Sequence, residues 1–179
     1  MTDVEAVDRL EAFIAQQRPA VPWTPVTDYS LEARRAIEGE HPRLILEVFE
    51  PQTILDLGCG PAGHLVRFLC ELGVAAVGVD PLVDGTRFPL FGAAWVDQLG
   101  GGPHWPLYRE SFETMPHRGD FDLVICREVL EHLPVLKIRA AVAVLVGCAS
   151  RYIYVTTRFH AAPDHLLDVA DHDELDPTH

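Results

Sequence analysis

Four short runs of apolar, β-prone residues, separated by helical segments, constrain the fold of this chain more than any other feature. The runs are TILDLG, AAVGVD, FDLVIC and YIYVTT. Strands buried on both faces of a parallel sheet have this near-continuous apolar character, whereas strands with one solvated face alternate. The segments at residues 63–73 and 134–148 have helical patterns. The alternation predicts an α/β fold, a doubly wound, mostly parallel sheet with helices on both faces.

A weaker strand, PLYRESF, is predicted between the second and third strong strands, and a short helix is possible near residues 93–99. The first 40 residues have a different pattern. Val4, Val7, Leu10 and Ile14 share one face of a predicted N-terminal helix. A second helix starts near Ser30, and a third starts at residues 41–42. We therefore divide the chain into an N-terminal helical segment, residues 1–40, and a main domain, residues 41–179.

The charge balance restricts the class of partner. The chain has 27 acidic and 14 basic residues, a net charge of −13. Such a surface repels phosphate backbones, so nucleic acid is a disfavoured partner and a small molecule is favoured. The longest apolar run, residues 140–146, is too short to span a bilayer, and the acidic N-terminus does not resemble a signal peptide. We expect a cytoplasmic protein without a membrane partner.

The first strand leads into a glycine-rich loop, ILDLGCGPAGH, which contains Gly58, Gly60 and Gly63. Such loops bring the backbone close to a ligand, but the glycines alone do not distinguish a dinucleotide from another cofactor. Asp56 precedes them by two residues, where a pyrophosphate would meet a carboxylate. At ~4 Å and an effective dielectric constant near 20, this repulsion is on the order of 4 kcal/mol per charge pair. A cofactor that carries a cation, such as S-adenosylmethionine, fits better.

Asp80 ends the second strand and is positioned to accept hydrogen bonds from the two hydroxyls of a ribose. Both acids also have a simpler interpretation. Asp56 could stabilise a turn, and Asp80 could cap the segment that begins at Pro81. Because an NAD ribose would suit Asp80 equally well, this residue does not discriminate between the cofactors.

Together, ILDLGCGPAGH, VGVD and FDLVICREVLEHLP resemble the signature segments of the class I S-adenosylmethionine-dependent methyltransferases, which have a Rossmann-like fold. The resemblance covers residues 42–159. It implies that S-adenosylmethionine is the cofactor. The residues that it assigns to the cofactor are Asp56, Gly58, Cys59 and Gly60 in the loop, Asp80 at the ribose, Ser111 and Phe112 beside the adenine, and Arg127 near the sulfonium.

The segment REVLEHL supplies the candidates for proton transfer. Glu128, Glu131 and His132 stand at i, i+3 and i+4, so a helix would place them on one face beside the crevice. His132 and Glu128 are the predicted catalytic residues, with a solvated helix start as the alternative. The three also resemble the metal-binding helix of small-RNA terminal 2′-O-methyltransferases, in which a later histidine joins them. The candidates for that histidine here are His160, His165, His172 and His179. We favour a metal-free site over this metal-dependent alternative.

The prediction is therefore a methyltransferase acting on oxygen or nitrogen of a small-molecule or glycan-like acceptor. The alternatives are an RNA 3′-terminal 2′-O-methyltransferase, a nicotinamide oxidoreductase, and a non-catalytic cofactor-binding subunit. The family closes its sheet with an antiparallel hairpin, and only 22 residues follow Thr157. We therefore expect a C-terminally incomplete domain, whose open sheet edge favours a homodimer or a partner that covers it.

Overall fold

The computed structural model describes residues 3–17, 31–83, 106–112, 114–115 and 120–157. The short helix considered near residues 93–99 lies outside these ranges. No described helix is long and apolar enough to cross a membrane. The elements are helices α1 (Asp3–Gln17), α2 (Leu31–Glu38), α3 (His41–Phe49), α4 (His64–Glu71) and α5 (Val135–Cys148), a 3-10 turn at Leu130–His132, and strands β1 (Thr53–Leu57), β2 (Ala75–Val79), β3 (Leu107–Tyr108), β4 (Phe121–Arg127) and β5 (Ala149–Thr156).

The five strands form one sheet in the order β3-β2-β1-β4-β5, and all neighbours are parallel. The chain builds the sheet outward from β1 to β3, then returns to the other side of β1 with β4 and β5. This reversal leaves a crevice beyond the carboxyl ends of β1 and β4, which is where open α/β sheets bind ligands. The predicted doubly wound fold is confirmed.

The weak strand predicted over residues 106–112 is shorter than expected. Only Leu107 and Tyr108 pair with β2, opposite Gly78 and Val79. The next residue, Arg109, turns its side chain back to donate a hydrogen bond from Nε to the Val83 carbonyl at 2.9 Å. The strand predicted from apolar content therefore ends at Tyr108, where the Arg109 side chain contacts the backbone of Val83.

Alternating side chains of the sheet enter two separate cores. Ile54 and Ile125 point to the face that α3 and α4 cover, where they contact residues such as Ile45 and Leu69. Leu55 and Val124 point to the opposite face, which α5 covers. Burying each such aliphatic side chain contributes roughly 1.5–3 kcal/mol. By the same alternation, Asp56 and Arg127 belong to the α3/α4 face, because Asp56 pairs with Ile125.

The N-terminal helices pack on this same face. Helix α1 contacts α3, and α2 contacts α4. Gly39, with φ of 51°, allows the sharp turn between α2 and α3. The ring of Phe13 stacks on the ring of His41 with centroids 5.2 Å apart. These contacts cross the predicted boundary at residues 40 and 41, and the two-part division stays a prediction.

Candidate functional site

The carboxyl ends of the parallel strands bring several predicted residues to one edge of the sheet. Asp56 lies near the end of β1, Asp80 directly follows β2, and Arg127 ends β4. Sequence analysis placed Arg127 just after the strand, whereas the structure includes it in the strand. The edge therefore combines two carboxyl groups and a guanidinium with the glycine loop that follows β1.

Two of the three loop glycines are required by internal packing. Gly58 and Gly63 have φ of 81° and 54°. A Cβ atom on Gly58 would lie 2.4 Å from Cγ2 of Val129, and one on Gly63 would lie 2.3 Å from Cδ2 of Leu107. The loop is also fixed to β2, since the amides of Gly58 and Cys59 both donate to the Val79 carbonyl, at 2.9 and 3.2 Å.

Gly60 differs from these glycines because open space lies beside it. Its φ is 71°, but a Cβ atom there would have no described atom within 4 Å. Its amide donates to Oδ2 of Asp80 at 3.1 Å, which joins the loop to the end of β2. The backbone around Gly60 is thus the part of the loop that a ligand can approach.

Asp80 also accepts a hydrogen bond from the amide of Leu82, at 2.7 Å to Oδ1. This contact is the capping role named above as the alternative for Asp80. Each carboxylate oxygen has a second lone pair, so the two backbone contacts leave room for ligand hydroxyls. The ribose contact stays a prediction.

Asp56 is a buried carboxyl group, only 3% exposed. Within the described part of the chain, its side chain makes no hydrogen bond. Burial raises its pKa to about 7, Arg127 opposes this effect, and the nearby Glu38 and Asp80 carboxylates add to it. Alone at neutral pH, Asp56 is therefore only partly ionised, and it would repel a pyrophosphate less than a full negative charge would. A cation bound beside it would keep the group ionised.

The Arg127 guanidinium is held by Glu38, a residue that sequence analysis did not single out. Nη1 donates to Oε2 of Glu38 at 2.9 Å, and Nη2 donates to Oε1 at 3.2 Å. Burial raises the pKa of Glu38, but the hydrogen bond from His41 and the Arg127 charge bring it down to about 2. The predicted position of Arg127 near a sulfonium stays a prediction.

His41 extends this buried network to β5. Its Nδ1 lies 3.1 Å from Oε2 of Glu38, and its Nε2 lies 2.9 Å from the Tyr154 hydroxyl. Burial lowers the pKa of His41 despite the hydrogen bond to Glu38. In the neutral ring, we assign the proton to Nδ1, which donates to the ionised Glu38, so that Nε2 accepts from Tyr154. A sequence signal existed, since His41 shares a helical face with Leu44 and Ile45.

The predicted helix carrying Glu128, Glu131 and His132 is wrong. Glu128 has a left-handed backbone with φ of 52°, and only residues Leu130–His132 form a 3-10 turn. The six residues between the end of β4 and Pro134 form this single turn and no α-helix. Glu131 accepts a hydrogen bond from the Thr157 hydroxyl at 3.2 Å.

Glu128 and His132 are partly buried at this edge, and their predicted proton-transfer roles stay predictions. In the described ranges, no three or more His, Cys, Asp or Glu side chains form a group that could hold a metal ion. The histidines considered as a further ligand, His160, His165, His172 and His179, lie outside those ranges. The metal-dependent alternative is therefore not tested.

Ser111 and Phe112 follow β3, as predicted for residues beside an adenine. The Ser111 hydroxyl lies 3.1 Å from that of Thr114, and the Met115 amide donates to the Ser111 carbonyl at 3.0 Å. Phe112 packs against the core on the α5 face. Both have structural contacts of their own, and their contact with an adenine stays a prediction.

A cavity of about 510 Å³ lies between the N-terminal helices and α4, and Glu38 is among the residues that line it. Arg9 and Arg35 line it and already pair with carboxylates, Arg9 with Glu47 at 2.9 Å and Arg35 with Glu71 at 2.7 Å. We therefore place the candidate site at the strand ends, where the buried Asp56 carboxyl has no such ion-pair partner among the residues that the structure describes.

Comparison with known families shows to which family this chain belongs. A family model described as a methyltransferase domain matches residues 29–153. The chain belongs to the class I S-adenosylmethionine-dependent methyltransferases. The cofactor of this family is the one predicted, S-adenosylmethionine. The match includes α2 and therefore Glu38.

The two relatives described next each share less than 30% sequence identity with this chain. It is 29% identical over 122 residues to a ubiquinone biosynthesis O-methyltransferase of Thiobacillus denitrificans, covering 66% of this chain and 49% of the relative. The chain thus spans about half the length of that curated relative. A crystal structure of a SAM-dependent methyltransferase from Archaeoglobus fulgidus shares the fold, with a TM-score of 0.53 and 20% identity over 84% of this chain and 61% of that one.

Proposed function

We propose that this methyltransferase transfers a methyl group from S-adenosylmethionine to oxygen or nitrogen of a small-molecule or glycan-like acceptor. The observation that carries the proposal is the buried Asp56 carboxyl, which lacks a hydrogen-bond donor in the described chain and lies near the open loop at Gly60. The cofactor's ammonium group would supply that donor. The name of the Thiobacillus relative, an O-methyltransferase, supports an oxygen acceptor.

The charges around the site support a cationic ligand. Glu38 and Asp80 both act electrostatically on Asp56, and Arg127 is the cation that acts on it. With all three carboxyl groups ionised, the group has a net negative charge. S-adenosylmethionine has a sulfonium and an ammonium against one carboxylate, so its net charge is positive. A pyrophosphate would instead add negative charge to a site that is already negative.

The chain's part in the reaction is mainly to align the reactants. The bound cofactor supplies a methyl group that its sulfonium already activates, so in-line placement of the acceptor accounts for most of the acceleration. Asp56 and the Gly58–Gly60 backbone hold the methionine part, and Asp80 orients the ribose. His132 or Glu128, after β4, accepts the proton of an acceptor hydroxyl if the acceptor arrives protonated.

Titration calorimetry tests the cofactor half of this proposal. We expect heat of binding with S-adenosylhomocysteine and none with NADH. Binding of NADH alone would overturn the assignment of S-adenosylmethionine as cofactor.

Radiolabelled methyl transfer to a panel of catechols, hydroxylated acids and amino sugars tests the second half of the proposal, the class of acceptor. Cofactor binding without transfer to any acceptor would favour the non-catalytic subunit. Partners, including the predicted homodimer, remain proposals.

A further inference from the structure

We propose that Glu38 is a positioning residue of the cofactor site: it holds the Arg127 guanidinium with both carboxylate oxygens and thereby prevents that cation from pairing with Asp56. The inference rests on the proposed function, because it concerns how Asp56 is kept available for the cofactor's ammonium group. It assigns a role in cofactor binding to α2, which lies outside the glycine loop and the strand ends.

The geometry makes Arg127 a direct competitor for Asp56. The two residues lie on adjacent strands and on the same face of the sheet, since Asp56 pairs with Ile125, two residues before Arg127. A diagonal neighbour at this spacing is within reach of a long side chain. Arg127 is also close enough to act electrostatically on Asp56. Without another partner, a largely buried guanidinium beside a buried carboxylate would form an ion pair with it.

Glu38 prevents this pairing through a fixed arrangement. Its side chain is 8% exposed, and its two oxygens receive Nη1 and Nη2 of Arg127 in a two-point contact, a geometry that suits the planar guanidinium. His41 donates a third hydrogen bond to Oε2, and Tyr154 in turn holds His41. Contacts from α3 and β4, supported by β5 through His41, thus fix the carboxylate of Glu38. Among the described residues of the site, Asp56 is then the buried carboxyl group that receives no hydrogen bond.

The test is a pair of substitutions measured by calorimetry with S-adenosylhomocysteine. Glu38→Gln removes the charge and keeps the side-chain volume. Arg127 then turns to Asp56, and we expect affinity to fall about tenfold or more, as for loss of a hydrogen bond to a charged group. Adding Arg127→Met removes the competitor, so the double variant should bind as tightly as Arg127→Met alone, which is the reference for any direct contact of Arg127 with the cofactor. Glu71→Gln, which breaks the surface pair with Arg35, is the matched control and should bind as wild type does.

The pH dependence of affinity separates positioning from a merely structural role. The groups coupled electrostatically to Asp56 are Glu38 from α2, Arg127 from β4, Cys59 and Asp80 from the loops, and Cys126, which lies on the opposite face of β4. In wild type, affinity should rise with pH through about 7, because cofactor binding favours ionised Asp56. In Glu38→Gln, the new ion pair ionises Asp56 at lower pH, so this rise should shift to lower pH.

The outcomes distinguish the two claims. If wild type does not bind S-adenosylhomocysteine, the proposed function fails. If wild type binds it and Asp56→Asn does not, but Glu38→Gln binds with wild-type affinity and pH profile, the function stands and the positioning role is refuted. A double variant that binds more weakly than Arg127→Met alone, although it has a cooperative unfolding transition, also refutes it. Circular dichroism of each variant verifies that transition.

Discussion

Asp56→Asn should make the ligand-free protein more stable above neutral pH while it weakens cofactor binding. The substitution replaces a buried ionisable group by a neutral one of the same shape. Burial raises the pKa of Asp56 from 3.8 to about 7 in the folded state. Because the folded pKa is the higher one, the stability that this group contributes is present below the unfolded value of 3.8. It is lost as pH rises through about 7.

The magnitude follows from that rise of about three pH units. At about 1.4 kcal/mol for each unit, the wild-type protein loses about 4 kcal/mol by pH 8, of which about 2 kcal/mol is already lost at pH 5. The asparagine variant has no such loss. The difference in the free energy of unfolding between variant and wild type should therefore grow by about 2–3 kcal/mol from pH 5 to pH 8.

Urea unfolding followed by circular dichroism, repeated at several pH values, measures this difference. The other titrating groups of the network, Glu38 and His41, are present in both proteins, so their contributions largely cancel in the difference. Asp120→Asn is the control, because Asp120 is an exposed aspartate just before β4. Its curve should run parallel to that of wild type.

Cofactor binding supplies the second readout. The asparagine amide has no charge to attract the ammonium group, so we expect S-adenosylhomocysteine to bind about tenfold or more weakly at pH 8. Parallel stability curves for Asp56→Asn and wild type would refute the claim that an ionised Asp56 is costly in the free protein. Unchanged affinity would refute its contact with the cofactor.

Substitutions around the glycine loop give three further predictions. Gly58→Ala should lower the free energy of unfolding by about 3 kcal/mol, because the left-handed backbone is strained for alanine and the new Cβ overlaps Val129. Adding Val129→Ala should restore part of this loss, as measured by chemical unfolding. Gly60→Ala should cost only about 1 kcal/mol of stability but lower the calorimetric affinity for S-adenosylhomocysteine, because the new methyl group enters the open space. Asp80→Asn should lower the affinity for S-adenosylhomocysteine about tenfold and leave the affinity for free methionine unchanged. Equal losses of affinity for both ligands would contradict a contact between Asp80 and the ribose.

The sheet could be predicted because its signal is local. The runs of β1, β2 and β4 form buried strands, and all four strong runs lie where expected. The prediction that YIYVTT is buried on both faces is wrong, because β5 is an edge strand of the described sheet and its residues are mostly exposed. The turn at Leu130–His132 was not predictable in this way. Residues at i, i+3 and i+4 suit an α-helix, but the same letters fit a single 3-10 turn when a strand end and Pro134 limit its length.

The Glu38 network could not be predicted because its partners are far apart in sequence. Glu38 and Arg127 are separated by 89 residues, and His41 and Tyr154 by 113. No periodic pattern links such pairs, and only the sheet order brings β4 and β5 beneath the N-terminal helices. A glutamate and a histidine three residues apart, beside an apolar helical face, are the one local sign of it.

The three loop glycines show what the structure adds to the motif. In the sequence they are equivalent, and any of them could be the residue that a ligand approaches. Packing explains Gly58 and Gly63, since Val129 and Leu107 occupy the places where their side chains would lie. Nothing in the described chain occupies the corresponding place at Gly60, yet its amide is fixed by Asp80. Gly60 is therefore the glycine that ligand binding explains best, and cofactor affinity rather than stability should report its substitution.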